Sequence, residues 1–148
     1  MIARSRLNLI AAFAALTATS PLLYWTFDQR DAVTVHEYTI TPDRVLAGEA
    51  IYRIINVTRH KRCEIDVDVL LIDGARVRWR FDEPPVIAPG PVGVRETYKT
   101  PVIVPLQANP GKAELRVALS RVCNPIQRIW PLVYVAPIKY FEILPGEQ

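Results

Sequence analysis

The stretch that decides the fold runs Cys63-Glu64-Ile65-Asp66-Val67-Asp68-Val69-Leu70-Leu71-Ile72-Asp73-Gly74-Ala75-Arg76-Val77-Arg78-Trp79-Arg80-Phe81. Cys63, Ile65, Val67, Val69 and Leu71 alternate with Glu64, Asp66 and Asp68; beyond Asp73-Gly74, Val77, Trp79 and Phe81 alternate with Arg76, Arg78 and Arg80. A period of two with one apolar face marks half-buried strands, and Asp-Gly between two such runs marks a hairpin turn. A two-residue turn would set Val67 against Arg80 and mix the faces. A three-residue loop, Ile72-Asp73-Gly74, instead sets Val69 against Val77, Val67 against Trp79 and Ile65 against Phe81. On the other face Asp68 then meets Arg78 and Asp66 meets Arg80. Apolar and charge patterns agree on that register. Each exposed ion pair contributes only about 0.2–1 kcal/mol, so the acid-against-base striping reads as sheet stabilisation rather than a ligand face.

Working outward, similar runs occur at residues 33–40, 51–58, 102–106, 113–122, 132–135 and 138–144, each bounded by Pro, Gly, Asp or Asn. No stretch of helical period longer than two turns separates them. The expected fold is all-β, an antiparallel sandwich of about 7–8 strands. Residues 82–101 carry Pro84, Pro85, Pro89, Pro91 and Pro101. They read as an extended cross-over between the sheets, or as a partner-binding loop with Arg95, Glu96, Tyr98 and Lys99 as its polar contacts.

The two cysteines, Cys63 and Cys123, are the only ones, and both share the inward parity of their strands; Leu115, Val117 and Leu119 lead to Cys123. An even count in an exported domain predicts one disulfide, with about 4 kcal/mol of unfolded-state entropy removed by the loop it closes. The order Cys63…Trp79…Cys123 resembles the immunoglobulin sandwich, which implies an Ig-like architecture. It departs from that family at Arg121, where the fold often has its corner tyrosine.

Half of the 148 residues are hydrophobic and 22% are charged, which excludes a wholly disordered chain. The formal charge of +3 is misleading. Arg4 and Arg6 precede an uncharged run, and without them 16 Lys and Arg face 15 Asp and Glu, a net +1. A nucleic-acid binder should carry its basic surplus on the folded part, so no nucleic-acid partner is expected. The densest basic cluster, Arg59-His60-Lys61-Arg62, reads as a solvated turn.

Residues 7–27 contain no charge. As a helix they would span about 31 Å, the thickness of a bilayer core. Arg4 and Arg6 before them and Tyr24 and Trp25 near the far end predict a signal-anchor whose N-terminus stays in the cytoplasm. The expected organisation is a cytoplasmic 1–6, a transmembrane helix 7–27 in the lipid bilayer of a bacterial inner membrane, and a periplasmic domain 28–148. The alternative is a cleaved signal peptide and a secreted, soluble binding domain. Asn8, Thr17, Thr19, Ser20 and Pro21 dilute the apolar run.

The stretch 123–131, Cys-Asn-Pro-Ile-Gln-Arg-Ile-Trp-Pro, is the most distinctive. Asn124-Pro125 starts a turn, and Pro131 prevents central strand pairing. Together with Arg59…Arg62-Cys63, Val104-Pro105 and Asn109-Pro110-Gly111, it resembles small uncharacterised membrane-anchored envelope proteins of proteobacteria and their phages. A Cys63–Cys123 bond would bring both motifs to one end of the sandwich. The candidate partner site is therefore Arg59, Lys61, Arg62, Asn124, Arg128 and Trp130. His36 and His60 have no metal-ligand spacing, and neither a phosphate loop nor a nucleophile elbow is present. The expectation is a chain that is not an enzyme, uses no cofactor and serves as an interaction or structural module for an envelope protein partner. An unrecognised envelope enzyme is the third reading.

Overall fold

The computed structural model describes residues 32–83, 86–87 and 90–146, and within the N-terminal segment residues 13, 16–17, 19–21 and 23–28. Among the described residues ten strands follow in order: β1 Val33–Thr41, β2 Arg44–Leu46, β3 Ala50–Arg59, β4 Glu64–Ile72, β5 Arg78–Asp82, β6 Val86–Ile87, β7 Arg95–Ile103, β8 Gly111–Val122, β9 Leu132–Val135 and β10 Lys139–Leu144. They form a three-stranded sheet, β1-β3-β7, and a larger sheet, β2-β10-β8-β4-β5, in which β6 also pairs with β4 and β9 with β8. The described pairs are antiparallel except β2, which runs parallel to β10. The all-β sandwich expected from the alternating runs is thus present.

The space between the sheets is unevenly filled. Ile51, Val69, Leu71, Leu115, Val117 and Ile143 are at most 1% exposed and form the centre of the core. Burying an aliphatic side chain of this size contributes about 1.5–3 kcal/mol, so this half of the sandwich holds the sheets together. Along β4 and β8 the same inward face continues through Ile65, Val67 and Leu119, yet these are only half-buried. The sandwich is closed at one end and open toward the other.

The β4–β5 hairpin forms with a different register. Val69 faces Phe81, Leu71 faces Trp79 and Ile72 faces Arg78. The strands are joined by five residues, 73–77, rather than three. The reason is Asp73, which is fully buried. Its Oδ1 accepts from the amides of Ala75 (3.0 Å) and Val77 (2.9 Å), so the loop wraps around this carboxylate. Within the loop Arg76 takes a left-handed backbone, φ 68°. The shift is even, so the faces keep their identity. Trp79 stays with Leu71 and Val69, and the exposed Asp68 bonds Arg80 at 3.1 Å instead of facing Arg78.

The Pro-rich connection is also corrected: β6 and most of β7 lie within it. β7 escaped notice because its inward residues, Glu96, Tyr98 and Thr100, are polar and give no apolar alternation. Pro101 is tolerated because β7 is an edge strand, where one row of backbone groups needs no ladder partner.

Cys63 and Cys123 are disulfide-bonded, with Cα atoms 4.4 Å apart. The β4–β8 ladder ends at Glu64 opposite Val122, so the cysteines are the next pair outward. Their separation is that of a narrow antiparallel pair, about 4.5 Å. The bond therefore joins neighbouring strands of one sheet, not two sheets as in the immunoglobulin pattern. Trp79 lies near the opposite end of β4 and gives its indole N–H to Asp73 Oδ2 (3.3 Å), away from the cystine.

The expected membrane span is not found. Among the described residues no helix is long and apolar enough to cross a membrane. This overturns the single-pass, inner-membrane placement with a cytoplasmic N-terminus and a periplasmic domain. Polar residues interrupt the apolar run within the described part of this segment. Thr17, Thr19 and Ser20 turn their hydroxyls back onto the carbonyls of Phe13, Leu16 and Thr17. Arg4, Arg6 and residues 7–12 lie outside the described residues. Tyr24, exposed, and Trp25, half-buried, lie in a helical stretch at residues 23–27.

Candidate functional site: the cystine end and the open half of the sandwich

The residues that follow the cystine make a rigid knuckle. Asn124, in extended backbone, accepts the amide of Gln127 on its Oδ1 (3.1 Å) and so caps the 3₁₀ turn Pro125–Arg128. Pro125 suits the first helical position because the amide it lacks would be unpaired there. Gln127 is buried; its Oε1 accepts from Cys123 N (2.8 Å) and its Nε2 donates to Asp28 O (3.2 Å). Asn124 Nδ2 reaches Trp25 O at 3.4 Å. Lys61 Nζ lies 2.6 Å from both Asp28 carboxylate oxygens. Chain segments around Asp28, Lys61 and Asn124 thus meet at one end, as the disulfide argument anticipated. Beyond the knuckle Ile129 and Trp130 are 81% and 79% exposed, and Val133 and Val135 on β9 are also exposed.

Of the other expected partner residues, Arg62 is exposed, and Arg128 is exposed with Nη2 4.0 Å from Glu64 Oε2. Arg59 is a correction: it is 3% exposed and turned inward, not part of a solvated turn. Its guanidinium pairs with Glu96 and Tyr98, while Tyr98 Oη donates to Glu96 Oε2 at 2.6 Å. Its odd parity on β3, shared with Ile51, Ile55 and Val57, was the signal for this.

The open half of the sandwich encloses a cavity of about 200 Å³. Val33, Val35, Ile55, Val57, Ile65, Val67, Leu119 and Tyr134 supply apolar wall from both sheets, and Arg53, Arg59 and Arg121 line it too. All three arginines are buried. Arg53 pairs with Glu83, and Arg121 Nη1 donates to Val33 O at 3.1 Å. Bringing one such ion out of water costs several kcal/mol even after relaxation, so three guanidiniums in a small volume are a costly use of the core. Arg53 is 2% exposed, and its Nε–H is buried without a hydrogen-bond partner. The hydroxyl of Tyr38, opposite Ile55 on β1, is likewise buried and unbonded. Burial pushes this phenol up to about 12, with the Arg53 charge pulling the other way. Arg53, Arg121 and Glu83 were not singled out from the sequence as a site, and Tyr98 was expected only as a polar contact of a partner-binding loop, whereas it faces inward onto Arg59. The readable signal was an arginine on the inward parity of β3 and of β8.

Among the described residues no group of three or more His, Cys, Asp or Glu side chains could hold a metal ion. No family model matches the chain, and no curated protein matches it. Among solved structures it is similar to the Pseudomonas fluorescens alkylpurine DNA glycosylase AlkC bound to DNA containing an abasic site analog, with 14% identity and a TM-score of 0.50. The match covers 76% of this chain and 30% of that one. The sporulation control protein Spo0M of Bacillus subtilis matches at 16% identity and a TM-score of 0.39, over 77% of this chain and 49% of that one. The glycosylase likeness concerns the fold alone, and the match spans 30% of that chain. The expectation that the chain is not an enzyme is corrected by the glycosylase match alone, since a similar fold recurs within the chain of an enzyme.

Proposed function

We propose that this domain is an Ig-like interaction module that engages a protein partner at its cystine end, with Trp130 as the anchor. The observation that carries this reading is a tryptophan 79% exposed on a knuckle held by a disulfide, a capped 3₁₀ turn and a buried glutamine. An exposed aromatic on a held backbone presents a large apolar surface, and buried aromatics dominate interface energies. Ile129, Val133 and Val135 extend the apolar surface, and among the described strands β9 pairs only with β8. Its other edge can accept an added strand. The strand order supports the Ig-like part: β1-β3-β7 opposed by β2-β10-β8-β4-β5 corresponds to A-B-E opposed by A′-G-F-C-C′. A protein partner is favoured over nucleic acid because Arg76, Arg80 and Arg116 each sit against Glu114 or Asp68.

The test is site-specific photocrosslinking in the native cell from positions 130 and 133, with position 78 on β5 as a control. A discrete adduct from 130 and 133, absent from 78 and lost when Ile129→Asp is added, is the expected result. Equal labelling from all three positions would refute the assignment.

A further inference from the structure

The interaction surface makes no use of the cavity, and the cavity has the chemistry of a ligand site. We propose that the open half of the sandwich binds a small organic monocarboxylate with an apolar body. Its carboxylate would lie on Arg53 and its body between Ile55, Val67 and Leu119.

Four observations converge. A packed interior leaves few voids larger than a water molecule, whereas this one is about 200 Å³. That exceeds the roughly 150 Å³ that admits a benzene, and leaves room for one carboxyl group besides. The wall is mostly aliphatic, and the inward residues Ile65, Val67 and Leu119 are half-buried, so solvent and solutes can reach it. Buried Arg53 gives its Nη2 to Glu83 while its Nε–H lacks an acceptor, and that one unused donor is what a ligand carboxylate oxygen would satisfy. Finally, the wall holds three buried guanidiniums against one lining carboxylate, Glu83, with Arg59 paired to Glu96, so the cationic groups of the lining outnumber its acids.

The length limit is set by the same geometry. The closed core begins at Val69 and Val117, immediately beyond Val67 and Leu119 on their strands. A ligand body can therefore extend no more than about one ring, or a chain of similar volume, before meeting packed side chains. Short aliphatic or aryl carboxylates fit, and long-chain ones would have to protrude from the mouth.

The experiment uses the full chain and carbon–proton spectra of its methyl groups, titrated with benzoate, benzyl alcohol and benzylamine. Benzoate should give saturable shifts at Val67 and Leu119, with benzyl alcohol about ten- to hundred-fold weaker, the range for losing a charged hydrogen bond. Arg53→Lys keeps a cation for Glu83 but removes the Nε–H donor, and should weaken benzoate by about tenfold or more. Val67→Phe fills the cavity and should abolish the shifts while the protein still melts cooperatively, which covers the case in which an Arg53 variant fails to fold. Trp130→Ala should leave benzoate binding unchanged, which separates this proposal from the interaction surface. Equal affinity for benzoate and benzyl alcohol, no saturable shift with either, or undiminished binding by Arg53→Lys would each overturn it. An acetylated tripeptide ending in leucine that displaces benzoate at lower concentration would show a chain terminus to be the occupant and overturn it as well.

Discussion

Removing the Asp73 carboxylate should cost more than any exposed ion pair in the domain. Its two oxygens accept five hydrogen bonds. Oδ1 takes the amides of Ala75 and Val77, and Oδ2 takes the indole N–H of Trp79 (3.3 Å) and both the amide and Nδ2 of Asn109 (2.9 Å each). The residue is 0% exposed. One carboxylate thus ties the β4–β5 loop, β5 itself and the turn before β8 into a single unit. Asp73→Ala would leave these donors without an acceptor. An unsatisfied buried donor costs about 1–3 kcal/mol. Taking the lower end for each of the five, since water can reach some after relaxation, the total is about 5 kcal/mol. The whole domain should have roughly 5–15 kcal/mol. Burial raises the Asp73 carboxyl pKa, but the donors from Asn109, Val77 and Trp79 outweigh it and hold the group at about 2, below its ordinary 3.8. A lowered folded-state value means that its contribution is complete above the ordinary value and is lost as pH falls toward 2. Urea midpoints measured at pH 7 and through that acid window, followed by near-ultraviolet circular dichroism, supply the check. The wild type should lose stability through the window, and Asp73→Asn should be weaker at neutral pH and flatter below it. A loss under 1 kcal/mol for Asp73→Ala, or parallel acid profiles for wild type and Asp73→Asn, would refute the reasoning.

Two further outcomes follow from the same end-to-end organisation. Reducing the Cys63–Cys123 bond, or replacing both cysteines by alanine, should cost about 4 kcal/mol on the chain-entropy account of a bond across 60 residues, read as a lower thermal midpoint; unchanged melting on adding reductant would count against it. Gly74→Ala should destabilise by about 1–3 kcal/mol, because an added Cβ would stand 2.1 Å from the carbonyl oxygen of Pro110, a backbone atom that cannot swing aside; chemical denaturation with no change in midpoint would show that the two turns can separate.

The sequence made much of the sheet legible because one face of each strand is apolar. β3, β4, β8, β9 and β10 are found within a residue or two of their alternating runs. What it concealed were the places where a buried polar group replaces that signal. Asp73-Gly74 reads as a tight turn, yet the buried carboxylate draws in three more residues and moves the register while leaving the faces intact. Glu96, Tyr98 and Thr100 hid β7 because their partners in space are arginines, whose presence on inward parity has meaning only once the opposing strand is known. The cystine illustrates the same limit. Parity and count led to the bond, but whether it joined one sheet or two depended on β4 and β8 being neighbours, which follows from topology rather than from spacing.

These concealed groups share a physical logic that locates function within the fold. In the closed half, aliphatic side chains fill the space, and the buried acid Asp73 is fully satisfied by donors. In the open half, arginines take the place of aliphatic residues, and Arg53 keeps a donor without an acceptor. Stability alone would favour the first arrangement throughout, since replacing a buried ion pair by well-packed apolar groups of similar volume is often neutral or stabilising by 1–4 kcal/mol. A sandwich that seals one end with aliphatic side chains and lines a cavity with partnered arginines at the other has the stability of its core concentrated at Val69, Leu71, Leu115 and Val117. The cystine end can then stay open because the disulfide, the Asn124 cap and the Lys61–Asp28 pair hold its strands and loops in place of a packed interior. On this account the bond at Cys63 and Cys123 substitutes for the missing half of the core. Its loss should therefore loosen Trp130 and the cavity wall together, before the β4–β8 pairing at Val69 and Val117 gives way, an order that hydrogen exchange of the amides along β8 would display directly.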